Sequence, residues 1–230
     1  MLATWKVAPA LAWGNTVVLK PAEDTPVSMT LVARLAIEAG FPPGVLNVVH
    51  GYGPDSAGSA LTANPDVDRI TFTGESGTGK IIAAAASRHL IPVSLELGGK
   101  GANIVFDDAD LDNAVYWAIE SIFRNAGQVC LAGSRLYVQS GIYDEFVRRY
   151  QAAAEAMVVG DPKDPSTQFS AALASEEHFT KVQSYLDPAA LGGGRIITGG
   201  VGEGWSVQPT IVVDAPSDAK VVREEVFGPV

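Results

Sequence analysis

The sequence predicts an α/β protein in which parallel strands carry helices on their faces. Three observations lead there. Short β-branched apolar runs alternate with longer helical segments, at a spacing that suits strand–helix–strand connections. Hydrophobic residues make up 47% of the chain and charged residues 18%, a globular composition with ample apolar material for a core. Glycine and proline punctuate the alternation at the expected joints. At 230 residues the chain can form one or two domains.

Asn15 to Lys20 is too short for a helix and rich enough in valine for a buried strand. Val27 to Ala39 has helical composition, with Pro26 at its start and Gly40-Phe-Pro-Pro-Gly44 closing it. Val45 to Val49 reads as the next strand and Ser56 to Ala63 as a short helix. Arg69 to Thr73 is the third strand, Gly79 to Arg88 the following helix, and Pro92 to Leu97 the fourth strand.

Gly98-Gly99 interrupts this rhythm and is taken as a domain boundary, giving domains over 1–98 and 99–230. Beyond it come a strand at Asn103 to Phe106, a helix from Leu111 to Phe123 and a glycine-bearing segment around Cys130. A strand at Leu136 to Gln139 follows, then helices at Tyr143 to Ala156 and Ser175 to Tyr185. Gly192-Gly-Gly194 is expected as a surface turn. The chain opens within an apolar stretch and stops at Gly228-Pro-Val230, from which an internal fragment of a longer protein is expected.

Composition excludes several classes of partner. With 16 Lys+Arg against 26 Asp+Glu the net charge is −10 and the pI is near 4.7, which disfavours duplex nucleic acid and anionic membranes. No run approaches the roughly 20 apolar residues of a spanning helix. A single cysteine, Cys130, cannot form an internal disulfide and fits a reducing, cytoplasmic setting. No metal site is expected.

Gly74-Glu-Ser-Gly-Thr-Gly-Lys80 has the look of a phosphate-binding loop between a strand and a helix. The residue after Lys80 is Ile81, however, where the pattern needs a hydroxyl for magnesium. A P-loop ATPase is therefore the weaker alternative. A dinucleotide glycine fingerprint also fails, since Gly51-Tyr-Gly53 lacks its third glycine.

Two residues invite chemistry. Cys130 lies among glycines and small residues at a helix-to-loop junction; it is either core filler or an approachable nucleophile. Glu96 stands between two leucines at the end of an expected buried strand, where desolvation would make it a general base. A strand-end carboxylate facing water, or paired with Lys100, is the equal alternative. His50, His89 and His178 have the contexts of surface or satisfied histidines, so no Cys–His dyad is expected.

Five segments settle the matter together. Lys20-Pro-Ala-Glu23, Phe72-Thr-Gly74, Leu95-Glu-Leu-Gly-Gly-Lys100, Gly127-Gln-Val-Cys130 with Ala132-Gly-Ser-Arg135, and Glu224-Glu-Val-Phe-Gly-Pro229 resemble the aldehyde dehydrogenase superfamily. They occur in the family's order, with 34 residues from Glu96 to Cys130, and span essentially the whole chain. The resemblance implies part of a Rossmann-like, parallel-sheet cofactor domain followed by a catalytic α/β domain. It implies oxidation of an aldehyde by NAD, with a thiohemiacetal and then a thioester on Cys130, hydrolysed by water that Glu96 activates. One oxyanion donor would be the Cys130 backbone N–H; the family's second, an asparagine, would fall just upstream of Met1.

Cofactor contacts carry over in the same way. Lys20 and Glu23 would hold the adenosine ribose, and the Glu23 carboxylate, which repels a 2′-phosphate, favours NAD over NADP. Gly53 would pass near the adenosine half. Gly74 and the following helix start would face the pyrophosphate. Glu75 stands where the family often has serine, and Ser76 is a substitute for contact with that group. The Leu97 carbonyl would meet the carboxamide, and Glu225 and Phe227 the nicotinamide ribose and ring. Arg124 is either a solvated helix-end arginine or an anchor for an acidic aldehyde, the latter in keeping with the hydroxymuconic semialdehyde dehydrogenase branch that the chain resembles. Full-length relatives are expected as homodimers or homotetramers. An NAD-binding fragment without turnover is the second alternative.

Overall fold

The computed structural model describes residues 1–230, and they divide into two compact units, Met1–Leu97 and Gly98–Val230. The first contains α1 (Leu2–Ala12), β1 (Val17–Leu19), α2 (Val27–Glu38), β2 (Leu46–Val48), α3 (Ala57–Thr62), β3 (Ile70–Thr73), α4 (Ser76–Ser87) and β4 (Val93–Glu96). Its strands form two parallel pairs, β1 with β2 and β3 with β4, each closed by a helical crossover. Val7, Met29 and Leu46 form a small core against which Val17, Leu19 and Val32 pack.

The expected elements are present, with most of their ends within a residue of the positions expected. Two differences are physical. The opening apolar stretch, for which no element was expected, winds into α1, because Leu11, Ala3 and Val7 share a face that covers β1 and β2. The α4 helix starts at Ser76, three residues before the expected Gly79. Gly77 and Gly79 are thus wound into the helix and Lys80 lies a turn inside it, so the loop that would wrap a phosphate in a P-loop is not formed.

The second unit contains β5 (Ala102–Val105), α5 (Leu111–Phe123), β6 (Arg135–Val138), α6 (Tyr143–Glu155), α7 (Glu176–Ser184), α8 (Pro188–Leu191), β7 (Arg195–Val201), β8 (Val207–Val213) and α9 (Lys220–Arg223). Again β5 and β6 pair in parallel; β7 and β8 form an antiparallel hairpin. The core gathers Phe123, Phe146, Tyr150 and Phe169, whose rings stand 6.0–6.3 Å apart, with fully buried Val182, Val207 and Val226. Burying a phenylalanine of this kind is worth about 1.5–3 kcal/mol.

The start of α5 is set by Asp110, whose carboxylate accepts from the Asp112 and Asn113 amides. The hairpin and α8 were not anticipated. In β7 the alternation is broken by Gly199 and Gly200, both at positive φ, where the register with β8 shifts. The expected surface turn at Gly192 is instead the left-handed cap that closes α8. No helix is long and apolar enough to cross a membrane.

Candidate active site

The site residues fall in both units. In the first, Lys20 Nζ donates to Glu23 Oε2 at 2.9 Å and to the Gly51 carbonyl at 3.0 Å. The lysine is mostly sheltered and the glutamate exposed. The Lys20 hydrogen bond, helped by backbone N–H, holds the Glu23 carboxyl below its ordinary range, so it stands ready as an acceptor. Gly51 has φ of +151°, and a Cβ there would strike the Ser56 hydroxyl, so the carbonyl that receives Lys20 depends on glycine. Gly53 follows in the same loop; its carbonyl accepts from the Ser59 amide at 2.8 Å as α3 begins.

At the ends of β3 and β4, the Gly74 amide donates to the Glu96 carbonyl at 3.1 Å. Glu75 is the N-cap of α4, extended and exposed, and Ser76 is the first helical residue. Gly79 is buried against Leu97: a Cβ on it would lie 2.7 Å from the leucine side chain. Glycine here lets α4 close on the end of β4 and fixes the residue whose carbonyl was expected to serve a cofactor.

For Glu96 two readings stood even, a desolvated base and a strand-end carboxylate facing water or paired with Lys100; β4 is four residues long in a two-stranded sheet, and the Glu96 side chain is exposed. It is the strand-end carboxylate that faces water.

In the second unit, Gly98 and Gly99 wrap the Glu225 carboxylate. The Gly99 amide donates to Glu225 Oε1 at 3.0 Å, and Gly98 abuts the other oxygen so closely that no Cβ fits. Arg135 donates twice to the Lys100 carbonyl, at 3.1 and 2.6 Å. Burial, with the nearby Arg135 charge, pulls the Lys100 ammonium down to about 8, against the opposing pull of Glu225. A small cavity beside them is lined by Gly99, Gly127, Val129, Ser134, Glu225 and Phe227.

Cys130 is half-buried and follows an unusual turn. After α5, Arg124 is extended and exposed; then Asn125, Ala126 and Gly127 are all left-handed, with φ of +53°, +54° and +69°. Such a conformation costs a residue with a Cβ about 1–2 kcal/mol. Gly127 must be glycine for a further reason: a Cβ would run into the backbone of Gly228. Cys130, read from the sequence as either core filler or an approachable nucleophile, thus follows a strained reversal, a common setting for functional residues.

Sequence reasoning missed three supports of this site. His178 Nε2 meets the Phe227 carbonyl at 2.7 Å, and Phe227 is itself left-handed at φ +59°. Gln128 ties the cysteine turn to the Ala174 amide. Arg135 holds Lys100. Each joins residues distant in sequence, and only the Asn-Ala-Gly run after a helix end could have signalled the turn.

A parallel-strand α/β scaffold, with a cysteine just beyond a strained turn and acidic groups near a glycine pair, is the class defined by fold and site. The chain belongs to the aldehyde dehydrogenase family, whose model matches residues 1–230. It is 52% identical to a 2-hydroxymuconic semialdehyde dehydrogenase of Pseudomonas sp. (strain CF600), covering 100% of this chain and 49% of that protein. Among solved structures it resembles an NAD+ complex of aldehyde dehydrogenase from Bacillus cereus, at 39% identity and a TM-score of 0.94, covering 100% of this chain and 47% of that one. It also resembles an E. coli NADP dependent enzyme, at 46% identity and a TM-score of 0.94, covering 99% and 47%. The chain spans about half the length of the curated relatives it matches.

Proposed function

We propose that the chain supplies the nucleophile, the water-activating carboxylate and much of the cofactor-binding surface of an NAD-dependent aldehyde dehydrogenase. The observation that carries this is Cys130, half-buried and held just beyond the left-handed turn Asn125–Gly127, in a chain of this family. The Cys130 thiolate adds to the aldehyde carbon, forming the C–S bond and leaving the charge on oxygen, where the Cys130 backbone N–H donates. Loss of hydride from that carbon leaves a thioester. Glu96 takes a proton from water; the resulting hydroxide attacks, the C–S bond breaks, and a carboxylic acid departs as the thiolate returns.

NAD+, when bound, is the hydride acceptor. The residues present fit it: Lys20 and Glu23 suit ribose hydroxyls, Gly53 lies in the adjoining loop, and the α4 entrance meets the pyrophosphate through Gly74 and Ser76, the Glu75 carboxylate between them making no contact with it. The Leu97 carbonyl, Glu225 and Phe227 serve the nicotinamide half. The B. cereus relative's complex with NAD+ and the anionic Glu23 both support NAD over NADP.

The substrate is an aldehyde bearing a carboxylate, and Arg124 is its anchor. The name of the Pseudomonas relative and the place of Arg124, six residues before Cys130, support this. The protein is read as cytoplasmic from its single cysteine, and as a homodimer or homotetramer from its likeness to the family.

The test is a burst of NADH on adding aldehyde to the protein with NAD+. A stoichiometric burst that disappears in Cys130→Ser supports the reading. NAD binding with no NADH formed would replace it with binding alone. An Arg124→Ala variant that leaves the ratio of rates for acidic and neutral aldehydes unchanged removes the anchor.

A further inference from the structure

The geometry points to Gln128 as the positioning residue of the cysteine turn, anchoring it to the segment Ala171–Ala174. Gln128 Oε1 accepts from the Ala174 amide at 3.1 Å, while Nε2 donates to the Asn125 carbonyl at 3.3 Å. The same two residues close on each other through the backbone, Gln128 N–H to Asn125 O at 3.1 Å, and through the Asn125 amide to Gln128 O at 3.1 Å. The turn therefore has its own closure, and what the side chain adds is a fixed point outside it.

That fixed point is firm. Ala172 bridges Ser206, the Leu173 amide donates to Trp205 O at 3.0 Å, and the Val207 amide donates to Ala171 O at 3.0 Å, where β8 begins. Val207 is fully buried. On its other side Gln128 borders a cavity of about 200 Å³, which it shares with Asn125, Gln168 and Ser170. Its amide is thus oriented by hydrogen bonds and not wedged by packing. A left-handed run of three residues has alternatives close in energy, and a tether to a segment bonded to the start of β8 selects one of them. Cys130 follows two residues later, so its direction is inherited from Gln128. This rests on the reading of Cys130 as nucleophile only for its catalytic consequence.

Cys130 is the chain's single cysteine, so alkylation by iodoacetamide reports this site alone. The rate is measured against pH for the 230-residue chain and for two variants. Gln128→Met keeps the length and removes both bonds; Gln128→Glu keeps the acceptor for Ala174 and removes the donor. The expected result is at least a fivefold change of rate in Gln128→Met and less than twofold in Gln128→Glu. Wild-type rates in Gln128→Met, or equal changes in both variants, overturn the proposal. Hydrogen exchange on the unaltered chain tests it without any variant: the Ala174 amide should exchange at least tenfold more slowly than a free peptide, and unprotected exchange overturns it. None of these readouts requires turnover, so a failed NADH burst leaves this test intact.

Discussion

The imidazole Nε2 of His178 lies 2.7 Å from the carbonyl oxygen of Phe227, and the two rings meet edge to face at 5.7 Å. The contact is one of three from the same stripe of α7 and its C-cap. Val182 packs on Gly228, where a Cβ would lie 2.8 Å away, and the Tyr185 hydroxyl donates to Glu224 Oε2 at 2.9 Å. Residues 178, 182 and 185 share a helix face, so a single rigid element holds the whole Glu224–Gly228 turn. Phe227 needs this support because its left-handed backbone is unfavourable for a bulky residue.

His178→Ala should lower stability by about 1–2 kcal/mol, the loss of one hydrogen bond together with an unpaired half-buried carbonyl. Urea denaturation checks this. On the proposed role of Phe227, affinity for NAD+ should fall as well, and calorimetry reads that separately.

Gly127→Ala should destabilise the chain by at least about 2 kcal/mol, since a left-handed residue acquires a Cβ that meets the Gly228 backbone. Gly141→Ala, where nothing lies within 4 Å of the added carbon, is the control and should stay close to wild type.

The Lys100 ammonium is held at about 8 against an ordinary 10.5, first by burial and then by Arg135. Between those two values the unfolded chain binds a proton at this site that the folded chain has lost, so this lysine makes stability rise with pH. Below about pH 8 its full penalty is present. Lys100→Met should therefore be more stable than wild type at neutral pH, with the difference shrinking towards pH 10.5. Denaturation midpoints across that range decide it; a difference independent of pH would refute the account.

Glu23→Gln should bind NADP about tenfold more tightly than wild type, because the carboxylate that Lys20 keeps ionised no longer repels a 2′-phosphate. Affinities for NAD and NADP measured side by side test it. The change should appear mainly in NADP.

Much of this protein was legible from residues alone. Alternating β-branched runs and helical segments define the parallel pairs, because a strand with a helical crossover has few ways to pack. The five family segments single out Cys130, Glu96, Lys20, Glu23 and Glu225 as candidates by type and order. Local chemistry is enough for such choices: a proline that opens a helix, a glycine that ends one.

Tertiary structure decided what depends on residues far apart in the chain. It exposes Glu96, since a strand in a two-stranded sheet does not bury its end. It winds Gly77 and Gly79 into α4, and at Gly79 the close approach of Leu97 leaves no room for a Cβ. It also sets the left-handed turn before Cys130, whose strain is offset by Gln128 reaching Ala174, 46 positions away. No local pattern encodes that tether, because the free energy that holds it comes from a contact made only once the chain has folded.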